Sequence, residues 1–408
     1  MAGHSAGIPR REGIITVGLV VLCQSFQALT IGGIALFLPL IREDLQITFS
    51  QAGLLSACST LTYALGQIPA GFLSDRFGPR RLFFIGILGA TLLSLSFGLI
   101  HSFEIALLNQ VLSGVFRALL FAPGLALLSS WFPPNRQATA IGLYVAGGFS
   151  GNIFLSLVGP LLVVQYGWRP PFIGFAFAGI AVALLYYTFG KEKPRSAARQ
   201  RVGMLDAFQL FKYPIMWVCG GIQFVRLGVV IGYNYWLPSF LVSDRGFSIQ
   251  TAGLIAALGA ACTVPANALG GYLSDRLRNP PLIIGSCLAV LAVTSSSLVL
   301  VQSMPALLLV VAVHSLAMQF YFGPLFLVPI EVLGQRVSGM STGFGNLFAN
   351  LGALFSVFIL GIVKDRVGTF TWGFVGIGAA CLIGLLLTTV LARMRKQVIT
   401  AGEHPEHP

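Results

Sequence analysis

Charge is scarce in this 408-residue sequence. Asp, Glu, Lys and Arg together make up 9% of it, against ~25% in a soluble domain, too little to clothe a water-exposed surface. That argues against a soluble enzyme, a disordered chain and a secreted disulfide scaffold. Acids are the scarcer sign: 13 Asp+Glu against 25 Lys+Arg, for a net charge of +12. The basic residues stand in short clusters between apolar runs and lack the interleaved aromatics of a nucleic-acid groove, so no nucleic-acid partner is expected. Cysteine is limited to Cys23, Cys58, Cys219, Cys262, Cys287 and Cys381. None has CxxC or Cys/His spacing, which leaves no metal or disulfide framework and makes them small apolar fillers. No GxSxG and no GxxxxGK[ST] loop occurs. Neither an enzyme nor ATP-driven work is supported, and no cofactor or metal is expected.

What is present is apolar: 56% of the residues are hydrophobic and 48 are glycine. Runs of about 20 such residues are membrane helices in waiting, because the hydrocarbon core is ~30 Å thick and a helix rises ~1.5 Å per residue. Twelve can be placed, at roughly 13–40, 50–73, 81–100, 104–129, 138–164, 171–190, 213–241, 250–273, 281–301, 305–329, 338–362 and 371–391. The first is long enough to span, so it is expected to be retained rather than cleaved. An even number puts both termini on one side. With the termini in the cytoplasm, 18 Lys+Arg fall on that side and five on the other: Arg42, Arg169, Arg245, Lys364 and Arg366. This bias supports termini inside. The polar ends, 1–11 and 397–408, are expected to be disordered. The longest polar break, 191–212, separates residues 1–190 from 213–408 and predicts a cytoplasmic linker between two six-helix bundles.

The two halves repeat each other. Gly71-Phe-Leu-Ser-Asp75-Arg76 returns as Gly271-Tyr-Leu-Ser-Asp275-Arg276, and Ala52-Gly53-Leu54 as Ala252-Gly253-Leu254, both at an offset of 200. Leu38-Pro39 has a partner in Leu237-Pro238. Repeated halves place a transport site between them near the bilayer midplane. With GFLSDRFGPRR at 71–81 between spans two and three, the chain resembles the major facilitator superfamily, whose signature loop reads G-x-x-x-D-R-x-G-R-R. GYLSDRLRNP at 271–280 is the second, degenerate copy. The resemblance implies an all-α membrane protein of twelve transmembrane helices in two pseudo-symmetric six-helix bundles, rocking about a central cavity. It implies a cytoplasmic gate at Asp75, Arg76, Arg80, Asp275 and Arg276, and a cavity lined by spans one, four, seven and ten. One departure stands out. The arginine that many proton-driven members carry in span four is Gln110 here, in Gln110-Val-Leu-Ser-Gly114.

Two arginines nevertheless lie at membrane depth. Arg117 is close to the middle of span four and Arg226 close to the middle of span seven. Each costs roughly 2.5–3.5 kcal/mol on insertion scales, so each is expected to face a cavity and to function there. Of the 13 acids, only Glu104 and Glu331 touch a span, each at its end. Unpaired guanidinium groups attract anions and grip carboxylates with two bonds. Gln24, Tyr63, Tyr235, Gln319 and Asn346 are the polar side chains expected to complete the substrate site, and His314 in span ten is a candidate proton carrier. The expected function is secondary or facilitative transport of a small anion, an organic carboxylate first, by alternating access in a bacterial inner membrane. The partners expected are that anion, the bilayer, and a proton or an exchanged counter-anion, with the chain acting as a monomer. Efflux of drugs or neutral solutes is the alternative, weakened by the lack of a midplane acid for cationic drugs. A non-transporting receptor would need an appended soluble domain, which the sequence does not supply.

Overall fold

Proline and glycine punctuate the chain into helices. In a computed structural model, which describes residues 10–132, 137–192, 212–277, 279–322, 324–325, 328 and 338–402, the described residues form long helices and no strand. The first six are α1 (Arg10–Leu45), α2 (Phe49–Phe77), α3 (Pro79–Phe97), α4 (Phe103–Ser130), α5 (Gln137–Tyr166) and α6 (Arg169–Phe189). They are followed by α7 (Pro214–Ser243), α8 (Ile249–Leu277), α9 (Pro280–Leu300), α10 (Met304–Phe320), α11 (Ser338–Val367) and α12 (Thr371–Gly402). Proline opens α3, α6, α7, α9 and α10 at the first or second position, where its missing N–H is not needed. Gly167 and Gly368 close α5 and α11 with φ of 79° and 78°. Their amides bond back to Val163 and Lys364 carbonyls at 2.9 Å, a left-handed turn that a side chain would strain.

Among the described residues, nine of these helices are long and apolar enough to cross a membrane. Helix α10 and the first part of α8 are shorter apolar stretches. Helix α2 is not among the nine, and Ser50, Gln51, Ser59, Thr60, Thr62, Tyr63 and Gln67 lower its mean hydropathy. The expected linker lies outside the described residues except for Lys191, Glu192 and Lys212, as do the end of the tenth expected span beyond residue 328 and the extreme termini.

The chain forms two compact units. One is Met1–Ile47 with Cys58–Arg199, the other Thr48–Ala57 with Gln200–Pro408. Inside the first, α1 packs on α5 and α6, and α3 on α4 and α6. Inside the second, α7 packs on α11 and α12, and α9 on α10 and α12. The same pairing in each unit is the structural form of the sequence repeat. So is one close crossing: a β-carbon at Gly151 of α5 would overlap the Ser25 carbonyl of α1, and one at Gly352 of α11 would overlap the Phe224 carbonyl of α7. Glycine at these sites lets the backbones touch, the usual device where lipid supplies no hydrophobic drive between helices. The core of the first unit gathers Val20, Phe83, Ile87, Leu120, Tyr144 and Tyr186. That of the second holds Tyr233, Trp236, Phe240, Phe370 and Phe374, all fully buried. The six cysteines are free thiols, four of them buried.

In the second unit, the opening turns of α2 are anchored by other helices. Asp365 of α11 accepts the amides of Phe49 and Ser50 at 2.9 and 2.6 Å, and also the Ser50 hydroxyl. It adds to the capping box α2 carries in its own sequence, where Thr48 Oγ1 accepts the Gln51 amide at 3.2 Å and Gln51 Oε1 accepts the Thr48 amide at 2.9 Å. The Phe49 ring meets Phe370 edge-on at 5.5 Å and lies 6.1 Å from Trp236.

Candidate functional site

Among the described residues, each unit holds one arginine near the middle of a membrane helix, Arg117 and Arg226, and each is held by neutral groups. In the first, Arg117 stands in the middle of α4. Its Nη1 donates to Ser59 Oγ at 2.9 Å, and its guanidinium lies 5.1 Å from the centre of the Tyr63 ring. Ser59 and Tyr63 are four apart on α2, so they share a face. Arg117 Nε is buried without a hydrogen-bond partner among the described residues. Two expected site residues, Arg117 and Tyr63, are thus in contact. Ser59, which completes the group, is missed by sequence reasoning, because no spacing links it to a residue two helices on.

Gln24 of α1 is half-buried, with its Oε1 unpartnered among the described residues. It lies along Gly147 and Gly148 of α5. Gln110 stands apart from these. Its Nε2 donates to Asn109 Oδ1 at 3.1 Å, and Asn109 in turn donates to the Leu93 carbonyl and Ser96 Oγ. The residue that replaces the family's arginine therefore sits in an amide cluster between α3 and α4.

In the second unit, Arg226 of α7 is 4% exposed. Its Nε donates to Gln223 Oε1 at 2.8 Å, and the Phe322 ring covers it at 4.8 Å. Gln223 is itself 2% exposed. Tyr321 is fully buried, and its hydroxyl has no partner among the described residues. A hydrogen bond to a charged group contributes ~1.5–3 kcal/mol and a desolvated ring contact up to ~2 kcal/mol, enough to offset the insertion cost. Neither supplies a counter-charge. Among the described residues, neither Arg117 nor Arg226 forms an ion pair. Gln223 lies three residues before Arg226 on one helix, a spacing that could have marked it.

The other expected ligands of this unit lie elsewhere in it. The Tyr235 hydroxyl donates to the Ala52 carbonyl at 2.5 Å. Gln319 is half-buried in the last turn of α10. Asn346 is half-buried, and its carbonyl accepts from Asn350 Nδ2 at 2.8 Å. His314 is buried, with its ring 4.3 Å from that of Tyr233 and its Nδ1 2.8 Å from Thr294 Oγ1.

Of the expected gate, Arg76 is exposed at the end of α2, its guanidinium 5.5 Å from the Phe77 ring. Arg80 is tied into the first unit: Nη2 donates to the Tyr187 carbonyl at 2.6 Å, and its amide to Glu192 Oε2 at 3.4 Å. Arg276 is exposed at the end of α8. Asp75 and Asp275 lie on α2 and α8, but their side chains are outside the described residues. No group of three or more His, Cys, Asp or Glu is placed to hold a metal among the described residues.

Comparison with known proteins bears on what these groups serve. A family model described as Major Facilitator Superfamily matches residues 20–357. The Hexuronate transporter of Bacillus subtilis (strain 168) is 25% identical over 393 residues, covering 91% of this chain and 92% of its own. The Probable sulfoacetate transporter SauU of Cupriavidus necator is 26% identical over 372 residues, covering 85% of this chain and 86% of its own. Among solved structures, a bacterial homologue of the human lysosomal transporter Spinster aligns with a TM-score of 0.81 at 20% identity, over 96% of this chain and 99% of the other. That likeness establishes the fold.

Proposed function

This chain belongs to the major facilitator superfamily and is a multi-pass membrane protein; from that premise we propose that it is a secondary or facilitative transporter of a small organic anion, a carboxylate, working by alternating access. One observation carries the proposal: two membrane-embedded arginines, each held by neutral acceptors, with no carboxylate on either among the described residues. A site with uncancelled positive charge in a low-dielectric setting recruits an anion. Relatives named for hexuronate and sulfoacetate, both carboxylate-bearing, support the same class. Arg226 and Arg117 are the anion ligands, with Gln24, Tyr63, Tyr235, Gln319 and Asn346 as the polar surround. Asp75, Arg76, Arg80, Asp275 and Arg276 form the cytoplasmic gate. The chain works as a monomer in a bacterial inner membrane, coupled to a proton or to an exchanged counter-anion.

The test is a thermal scan of the detergent-purified chain with D-glucuronate, sulfoacetate, nitrate, choline and a cationic dye. A ligand bound only by the folded state at 100 times its Kd adds ~2.7 kcal/mol of stability. One anion group should stabilise the wild type and leave Arg226→Gln unmoved, with a weakened response in Arg117→Gln. Stabilisation by the dye or choline, unchanged in Arg226→Gln, would replace the anion proposal with drug efflux.

A further inference from the structure

We infer that Gln223 is a positioning residue: it fixes the Arg226 guanidinium without cancelling its charge, and so sets the second unit's site for an anion. This rests on the transport reading above and deepens it.

The geometry is specific. A guanidinium offers five N–H donors in a fixed fork. Arg226 spends Nε on Gln223 Oε1 at 2.8 Å, and Phe322 covers it at 4.8 Å. The edge left without a partner among the described residues is the Nη1–Nη2 end, which can hold a carboxylate through two parallel bonds. Gln223 is itself fixed. It is 2% exposed, and a β-carbon on Gly345 of α11 would stand 3.5 Å from its Cγ. The amide therefore lies between its own helix and α11.

The chemistry of the acceptor matters more than its shape. Glutamate has the same outline as glutamine, yet a carboxylate here would pair with the arginine in a buried ion pair and leave the site with no net charge. An amide oxygen accepts the same hydrogen bond and leaves the full positive charge for a ligand. The other arginine follows the same rule, since Arg117 is held by the neutral hydroxyl of Ser59.

The experiment compares the full-length wild type with Gln223→Glu and Gln223→Met, by thermal scans with D-glucuronate and sulfoacetate and by uptake into proteoliposomes. For Gln223→Glu, the melting point without anion should stay at or above wild type, while apparent anion affinity falls by about tenfold or more, a loss of at least ~1.4 kcal/mol. Gln223→Met keeps the charge and loses only its orientation. Its KM should rise several-fold with the maximal rate retained, and saturating anion should restore the thermal shift. Wild-type anion response in Gln223→Glu would overturn the inference. So would equal losses of melting point and response in both variants, since that pattern marks a packing role alone. If Gln223→Glu does not fold, an unchanged KM in Gln223→Met overturns the inference, and a raised KM at full maximal rate upholds it. A wild type that responds to no anion would instead sink the transport reading, a result distinct from a wild type that responds alongside an equally responsive Gln223→Glu.

Discussion

Lys364 brings an ammonium group into the second unit and spends nearly all of its donors there. Its Nζ pairs with Asp244, donates to the Gly368 carbonyl at 2.8 Å, and sits 5.3 and 5.1 Å from the Phe49 and Phe370 rings. Asp244 is equally engaged, accepting from Thr369 Oγ1 at 2.9 Å and from the Phe370 amide at 2.7 Å. Both side chains are 9% exposed. Removing one member of such a pair leaves the other buried and unpaired, at a cost of about 3–5 kcal/mol. Lys364→Met should therefore lower the melting point of the purified protein sharply while leaving ligand specificity unchanged. Arg226 differs in just this respect: its partners are neutral, and its replacement should cost ligand response more than stability. The contrast was legible in part. Both arginines stand out because the surrounding residues are apolar, and Gln223 is marked only by its spacing to Arg226, whereas Ser59 looks like any polar residue until packing places it against Arg117.

At the scale of the element, α2 is the informative helix. Its nine opening residues, Phe49–Ala57, belong with Thr48 to the second unit, and its remainder belongs to the first. Asp365 caps it from α11, and the Tyr235 hydroxyl takes the Ala52 carbonyl. An N-cap carboxylate is worth ~0.5–2 kcal/mol. Asp365→Ala should speed hydrogen exchange at the Phe49 and Ser50 amides, read by mass spectrometry of peptides covering 47–57, with little change in the buried core of the first unit. Tyr235 illustrates what periodicity does not resolve. Its depth in α7 is readable from the sequence, but the rotation of a helix about its own axis is set by its neighbours, and here the hydroxyl meets a backbone carbonyl of α2. The helix ends were easier to place, because proline at first turns and glycine at last turns act locally, within the residues that carry them.

Across the whole molecule, the fold was the most legible level. Hydrocarbon thickness imposes a run length on every span, and duplication writes the architecture twice, as the offset of 200 residues and the matched pairs α1–α5 and α7–α11 confirm. The weakest signal came from α2, whose polar residues serve contacts such as Ser59 to Arg117. The candidate site was half legible. Charges announce themselves against lipid, while their neutral partners are chosen by three-dimensional packing. The distribution of Lys+Arg predicts an orientation with both termini inside. Alkaline phosphatase, active only outside the cytoplasm, should be active when fused after Gly246 and inactive when fused after Gly402. The Asp365 cap also has a consequence in time. Ser50 and Asp365 are 315 residues apart, and at ~5–20 residues per second a ribosome needs roughly 16–63 s to travel between them. For that interval α2 opens on its own Thr48–Gln51 box alone, and the Phe49 and Ser50 amides wait for their acceptor until residue 365 is made.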